Sequence, residues 1–251
     1  MKKKLSGFYL LVSSIVIAIL HIPFAFAKSA TGNKFLVRQP MIPSTQETVM
    51  PAPNPLPAFR SVYDSLHLSL KGLSQQAFDF AKQGLNRLIE EGKLLNDSII
   101  SIIDFSLPSN QKRLFVLDLK NYRVLFNTLV AHGKNTGYEW ANAFSNQDES
   151  YKSSPGFYIT KETYEGKNGY SLKLDGLEKG INDHAMERGI VMHGAAYVSD
   201  ERAVPGGFVG RSQGCPAVPV QVSRPIINTI KNGTCLFVYH PSYINHSQVL
   251  N

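Results

Sequence analysis

Gly210-Arg211-Ser212-Gln213-Gly214-Cys215-Pro216-Ala217-Val218, with His193-Gly194 upstream, is the most informative part of this 251-residue chain. It places a cysteine in a turn of small residues and offers it an imidazole. A nearby histidine can generate the thiolate, which is the reactive form of cysteine, at neutral pH. Glycine lets the backbone turn sharply beside the sulfur. Backbone N–H groups in such a turn can hold the oxyanion that forms when a thiolate attacks a carbonyl. The segment therefore predicts nucleophilic chemistry at Cys215.

His193 is the leading candidate for the base that activates this cysteine. It ends the apolar segment Gly189-Ile190-Val191-Met192-His193, which is typical of a buried strand that delivers a side chain at its end. His132 and His184 also lie near predicted strand or loop ends and remain alternatives.

A metal site is a weaker interpretation of the same histidines. His184-Ala185-Met186-Glu187 has the H-x-x-E spacing of some zinc peptidases, and His193 could supply a third ligand. A single H-x-x-E is common by chance, and nothing else in the sequence fits a known zinc arrangement. We therefore predict no metal and no organic cofactor.

The N-terminus has the pattern of an export signal. Lys2-Lys3-Lys4 precedes the mostly apolar segment 5–20, and Ala25-Phe26-Ala27 is a small-x-small cleavage site. We predict a signal peptide over 1–27 and an exported, periplasmic or cell-wall-associated protein, with an uncleaved anchor as the alternative. Removing three lysines and no acid reduces the net charge from +7 to +4. This mild positive charge could favour an anionic polymer such as a cell wall, and no basic run with interleaved aromatics indicates nucleic acid.

The two cysteines permit a second, structural hypothesis. In an exported protein, Cys215 and Cys235 could form a disulfide that closes a short loop. Cys235 lies in the predicted strand 234–239, where a free cysteine packs as a small hydrophobic residue. The alternative function is then a non-catalytic wall-binding module with a Cys215–Cys235 bridge.

The remaining sequence divides into five predicted regions. They are a signal peptide (1–27), a proline-rich linker (28–60), a helical extension (61–104), a catalytic domain (105–240) and a C-terminal tail (241–251). Ser74 is the expected N-cap of the main helix, whose apolar face is Phe78, Ala81, Leu85, Leu88 and Ile89. Residues 94–103 fit either helix or strand. Strands are predicted at 113–119, 123–131, 156–160, 170–174 and 189–193, and a helix at 220–231 that begins near Pro225. Residues 197–209 are predicted to be a mobile loop over the cleft.

Several of these segments together resemble the murein L,D-transpeptidase catalytic domain family. The resemblance covers about 59–239 and is closest to the branch that carries G-R-S-x-G-C-P-A. The supporting segments are Asp118, Val130-Ala131-His132-Gly133-Lys134-Asn135, Phe144-Ser145-Asn146, Ser153-Ser154-Pro155-Gly156, Gly169-Tyr170-Ser171-Leu172 and the His193/Cys215 pair.

The resemblance implies a mainly β fold with some α, as a β-sandwich-like catalytic domain with an N-terminal helical extension. By resemblance, Cys215 is the nucleophile, His193 is its base, and the carbonyl of Gly194 orients the imidazole. Gly214 and its neighbours would supply oxyanion donors, and Ser212 matches the serine of the family's S-H-G-C core. The family's second active-site histidine is Gln213 here.

The basic residue that the family often has two positions after the cysteine is Ala217 in this chain, and Arg211 is a candidate substitute. These departures concern substrate contacts and acceptor choice more than the nucleophile.

The implied reaction acts on peptidoglycan stem peptides. Cys215 would form a thioester with loss of D-alanine and pass the acyl group to an amine of another stem or of an exported protein. Transfer to water instead would make the enzyme an L,D-carboxypeptidase. Covalent catalysis of this kind divides one difficult substitution into two easier ones.

Overall fold

The computed structural model describes residues 61–251, so the predicted signal peptide and proline-rich linker lie outside the described part. Within these residues, no helix combines the length and apolarity needed to cross a membrane. The helices are α1 (Val62–Ser65), α2 (Gln75–Glu90), α3 (Val220–Ile230) and a 3-10 helix (Pro241–His246). The strands are β1 (Ile99–Asp104), β2 (Leu114–Asp118), β3 (Arg123–Thr128), β4 (Gly156–Gly166), β5 (Gly169–Gly176), β6 (Val191–Gly194), β7 (Ala217–Val218) and β8 (Cys235–Tyr239).

The eight strands form one mixed sheet in the order β3-β2-β1-β8-β4-β5-β6-β7. Neighbours are antiparallel except β1 with β8 and β6 with β7. Beyond the end of β3, Ala131 pairs with Ala217 of β7, so the two edges of the sheet meet there. The sheet therefore nearly closes on itself. The prediction of a mainly β domain with helices is confirmed, and a single curled sheet produces its layered, sandwich-like packing.

The outer face of the sheet is covered by α2. Ser74 caps this helix, since its Oγ accepts the N–H of Ala77 at 3.1 Å, an interaction typically worth about 1 kcal/mol. Four of the five predicted apolar residues, Phe78, Ala81, Leu85 and Leu88, are buried, whereas Ile89 is 40% exposed. Together with alternate residues of the central strands, among them Ile100, Phe115, Phe157 and Phe237, they form the outer cluster. The helix is thus part of the core.

The opposite set of alternate strand residues lines the inside of the curled sheet. This inner cluster includes Ile103, Val116, Tyr158 and Leu236, together with Ile226 of α3. Because side chains alternate between the faces of a strand, each central strand contributes to both clusters. All six residues of β1 are buried, which is expected for a strand covered on both faces.

Two predicted boundaries within the domain differ from the structure. Residues 99–104, assigned to the helical extension, form strand β1 between β2 and β8, because four isoleucines favour a strand buried on both faces. Helix α3 begins at Val220, after the N-cap Pro219, and Pro225 lies inside it. Proline is tolerated best in the first turn of a helix, and this preference makes Pro225 a plausible start signal. The helix nevertheless begins five residues earlier, so Pro225 does not mark its start.

The predicted C-terminal tail is part of the folded core. Tyr243, Val249 and Leu250 are buried in the outer cluster. Tyr243 and Ser247 donate hydrogen bonds to the buried carboxylate of Glu178. The backbone N–H of Gln248 donates to the same carboxylate at 2.9 Å. Burial of a carboxylate is costly without such partners, which explains why this segment is fixed to the domain.

Candidate active site

A cleft of about 670 Å³ brings Cys215 and His193 to one surface. The two residues come from distant parts of the chain, and strand pairing brings them together. In the parallel β6–β7 pair, His193 lies opposite Ala217, which is two residues after Cys215. The short strand β7 therefore fixes the cysteine turn beside the end of β6.

Cys215 is 8% exposed, and its thiol faces the turn that precedes β6. Sγ–H donates to the carbonyl of Gly189 at 3.7 Å. Burial raises the pKa of the Cys215 thiol, while the N–H of Val191 and the positive charge of Arg188 act in the opposite direction. The protonated thiol is therefore the resting form that burial favours.

His193 is held in one orientation by the backbone that follows it. Its Nδ1 lies 3.0 Å from the carbonyl of Gly194, which can only accept, so Nδ1 carries the proton. Nε2 is then the basic nitrogen. Burial lowers the pKa of His193, and the contact with the Gly194 carbonyl partly offsets this effect. A neutral imidazole at physiological pH can accept a proton from a thiol.

The cysteine turn is stabilised from within by Ser212. The Ser212 hydroxyl donates to the carbonyl of Cys215 at 2.6 Å and accepts the N–H of Gly214 at 3.0 Å. Gly214 has φ = +120°, and a Cβ there would lie 2.8 Å from the carbonyl oxygen of Lys152. Both observations explain why glycine precedes the cysteine.

Gly214 and Ser212, which the sequence predicts to contact the oxyanion or the substrate, are hydrogen-bonded within the turn itself. The N–H of Gly214 is already bonded to Ser212, and the Ser212 hydroxyl is bonded within the turn. In the described part of the chain, the N–H groups of Gln213 and Cys215 donate to no backbone carbonyl. These two N–H groups are therefore the backbone donors of the turn that remain open to a bound group.

Arg211 also lines the cleft, but its guanidinium is bound to a neighbouring loop. Nη1 donates to the carbonyls of Lys134, at 2.8 Å, and Gly137, at 3.3 Å. The guanidinium carbon lies 4.3 Å from the centroid of the Tyr138 ring. Arg211 thus anchors the 134–138 loop at the rim of the cleft.

Arg188 is a cleft residue that the sequence interpretation missed. It immediately precedes Gly189, whose carbonyl accepts a hydrogen bond from the Cys215 thiol, and it lines the same cleft. The available signal was its position one residue before the apolar strand that delivers His193.

The alternative histidines have other surroundings. His132 is fully buried, its Nδ1 lies 2.8 Å from Nη2 of Arg113, and Nε2 lies 3.2 Å from the carbonyl of Gly137. Burial and the charge of Arg113 lower the pKa of His132 to about 4, so it is a neutral core residue. His184 is exposed beside Asp183. No group of three His, Cys, Asp or Glu residues within 61–251 is placed to hold a metal ion.

The proposed Cys215–Cys235 disulfide is wrong. Both cysteines are free thiols. Cys215 belongs to the inner cluster of the sheet, whereas Cys235 belongs to the outer cluster beneath α2. Because the sheet separates them, no bridge can form without rearrangement of the core.

The family model described as the L,D-transpeptidase catalytic domain matches residues 69–239. This match covers more than half of the chain, and the chain therefore belongs to that family. No curated protein sequence matches it.

Similar solved structures include three bacterial L,D-transpeptidases. The enzyme from Mycobacterium smegmatis is 12% identical, with a TM-score of 0.36 over 57% of this chain and 59% of that one. L,D-transpeptidase 3 from Mycobacterium tuberculosis is 13% identical, with a TM-score of 0.36 over 57% and 61%. The protein from Xylanimonas cellulosilytica is 14% identical, with a TM-score of 0.34 over 57% and 60%. The chain thus matches about three fifths of the length of these structures.

Proposed function

We propose that the chain is a cysteine acyltransferase that carries out L,D-transpeptidation on peptidoglycan stem peptides. The observation that carries this proposal is the shared cleft of Cys215 and His193, in which the Gly194 carbonyl leaves Nε2 of the imidazole as the base. Membership of the L,D-transpeptidase family supports the substrate class. An exported location follows from such a substrate and agrees with the N-terminal signal pattern.

Acylation begins with transfer of the Cys215 thiol proton to Nε2 of His193. The sulfur attacks the carbonyl carbon of the L-centred third residue of a tetrapeptide stem. The N–H groups of Gln213 and Cys215 stabilise the resulting oxyanion. The tetrahedral intermediate collapses when His193 returns the proton to the nitrogen of D-alanine, which leaves. A thioester on Cys215 remains.

Deacylation reverses the roles of the same groups. An acceptor amine loses a proton to His193 and attacks the thioester carbonyl. The new amide forms, and the proton returns to the Cys215 sulfur. The exposed Asp148 and Glu149 on one wall of the cleft suit an ammonium-bearing acceptor, whereas Lys167 in the β4–β5 turn suits the carboxylates of a donor stem. Charges of both signs thus support amine transfer, and hydrolysis would require only water in the acceptor's place.

Intact mass spectrometry tests the proposal directly. The mature chain, residues 28–251, is incubated with a disaccharide tetrapeptide beside its Cys215→Ala variant. We expect an adduct lacking D-alanine on the wild type and none on the variant. Addition of a diamino acid, whose side-chain amine can act as acceptor, should convert the adduct into an amide product. Release of free tripeptide alone would identify a carboxypeptidase. Release of D-alanine by Cys215→Ala would disprove the cysteine mechanism.

A further inference from the structure

The family's usual basic residue after the cysteine has no counterpart at that position. Ala217 is fully buried in β7, where it pairs with both His193 and Ala131. A long cationic side chain could not be accommodated there without disrupting the sheet closure. If the site uses a fixed positive charge, the charge must come from another element.

Arg188 has the position for this role. The carbonyl of the next residue, Gly189, accepts a hydrogen bond from the Cys215 thiol. The positive charge of Arg188 lowers the pKa of that thiol, whereas burial raises it. No carboxylate in the described residues lies within salt-bridge distance of Arg188, so its charge is not neutralised by contact.

The hydrogen bonds of Arg188 define what it can do. Nη1 donates to the carbonyl of Ser145 at 2.9 Å and to the hydroxyl of Ser154 at 2.7 Å. Nη2 donates to the hydroxyl of Ser150 at 3.2 Å and to the carbonyl of Lys152 at 2.7 Å. Both terminal nitrogens are therefore engaged by neutral acceptors, and the guanidinium offers no free fork for a bidentate carboxylate. It acts as a fixed charge and as a brace for the 145–154 wall of the cleft.

We propose that Arg188 is the cationic positioning residue of this site. It stabilises the Cys215 thiolate electrostatically. Its hydrogen bonds also hold the 145–154 wall beside Gly189, whose carbonyl accepts the hydrogen bond of the thiol. This inference rests on the proposed function, in which Cys215 is the nucleophile. The role belongs to a residue on the turn before β6 instead of one after the cysteine.

Other ionisable groups line the same cleft as the cysteine and must be considered in any test. His193 lies on β6, Tyr197 follows β6, Arg211 precedes the cysteine turn, Lys167 lies in the β4–β5 turn, and Asp148, Glu149 and Tyr151 lie in the 145–154 wall. All of them are retained when Arg188 alone is replaced. A change in thiol titration that occurs in Arg188→Gln and is absent from Arg188→Lys then reports the loss of the Arg188 charge.

The experiment measures alkylation of Cys215 by iodoacetamide between pH 6 and pH 11, with peptide mapping to separate it from Cys235. Full-length mature wild type is compared with Arg188→Gln, Arg188→Lys and Arg224→Gln. Arg224 is an exposed arginine that pairs with Glu165 and serves as the matched control. We expect Arg188→Gln to move the titration midpoint upward by about one pH unit, which is about a tenfold lower rate at pH 7. Arg224→Gln should leave the midpoint unchanged.

Arg188→Lys separates the charge from the bracing. Lysine retains the charge but cannot span four acceptors with a planar fork. We expect its alkylation midpoint to stay within a few tenths of the wild-type value while the rate of adduct formation with a muropeptide falls about tenfold. If Arg188→Gln does not fold, this variant decides, and a midpoint shift of a full unit despite the retained charge would overturn the proposal.

An unchanged midpoint in folded Arg188→Gln would likewise overturn it. Alkylation needs no muropeptide, so the two proposals fail separately. An Arg188-dependent thiol that forms no muropeptide adduct would refute the function alone.

Discussion

Cys215 and Cys235 are both buried thiols, yet the two faces of one sheet give them different chemistry. Cys235 is fully buried beneath α2, and burial raises its pKa beyond the physiological range with no compensating contact. Cys215 borders a cleft, and its raised pKa is opposed by the Val191 N–H and the Arg188 charge. A cysteine is thus made reactive by its neighbours and by access to substrate, since burial alone acts against the thiolate.

The largest expected effect on the difference in reactivity between the two cysteines comes from replacing His193, the proposed base for Cys215. We expect His193→Gln to reduce the rate of acyl-adduct formation about 10²–10⁴-fold, because general base catalysis is lost. Rapid-quench mass spectrometry measures the rate, and His184→Gln is the control because His184 is exposed outside the cleft.

The pH profile gives the same variant a second readout. Wild-type acylation requires neutral His193, and burial lowers its pKa, so the rate should fall with acidification only below pH ~6.5, the usual histidine value. On the alkaline side of the wild-type profile, the change that follows ionisation of the Cys215 thiol should lie above the ordinary thiol range, because burial raises its pKa. In His193→Gln, the rate should instead rise continuously with the thiolate fraction. An acid limb that persists unchanged in this variant would contradict the assignment of the base.

A pair of glycine substitutions separates the two faces by a smaller effect. At Gly214 an added Cβ meets the Lys152 carbonyl at 2.8 Å with φ = +120°, so Gly214→Ala should displace the cysteine turn. A displacement of about 1 Å costs roughly 100-fold in rate. At Gly84 of α2 an added Cβ would lie 2.1 Å from the Phe157 ring. Gly84→Ala should lower the free energy of unfolding by about 2 kcal/mol through overpacking, with the rate nearly retained.

Urea denaturation and acyl-adduct kinetics on both glycine variants check this separation. Equal losses of rate in Gly84→Ala and Gly214→Ala would show that the outer face controls the cleft as strongly as the cysteine turn does.

The smallest expected effect is that of the other cysteine. Cys235→Ala removes a buried sulfur and should cost about 1–2 kcal/mol of stability while adduct formation is retained. Native thiol titration should find one reactive thiol in both the wild type and this variant, and a second only in the denatured wild type. Two thiols reacting in the native wild type would show that α2 does not seal the outer face.

Local sequence patterns predicted the elements better than their boundaries. The Ser74 cap and the apolar spacing of α2 specify a helix by contacts within a few residues, and the cap and four of the five predicted apolar residues are confirmed. Residues 94–103 were ambiguous, because four isoleucines fit a buried helix or a buried strand equally well by composition. Pairing of β1 with β2 and β8, which are distant in sequence, resolved the ambiguity. Pro225 misled for a related reason, since Pro219 supplies the helix start.

The sequence by itself determined that this chain carries a cysteine in a glycine turn, a strand ending in histidine, and the motif pattern of its family. Those features are local, and the chemistry of each residue type is fixed by its side chain. Only the tertiary structure decided that the Gly214 N–H is bonded to Ser212, that Arg211 anchors a rim loop, and that Arg188 supplies a positive charge that lowers the pKa of the Cys215 thiol. These assignments depend on sheet closure and on which groups hydrogen bonds have already engaged, and neither is set by spacing along the chain.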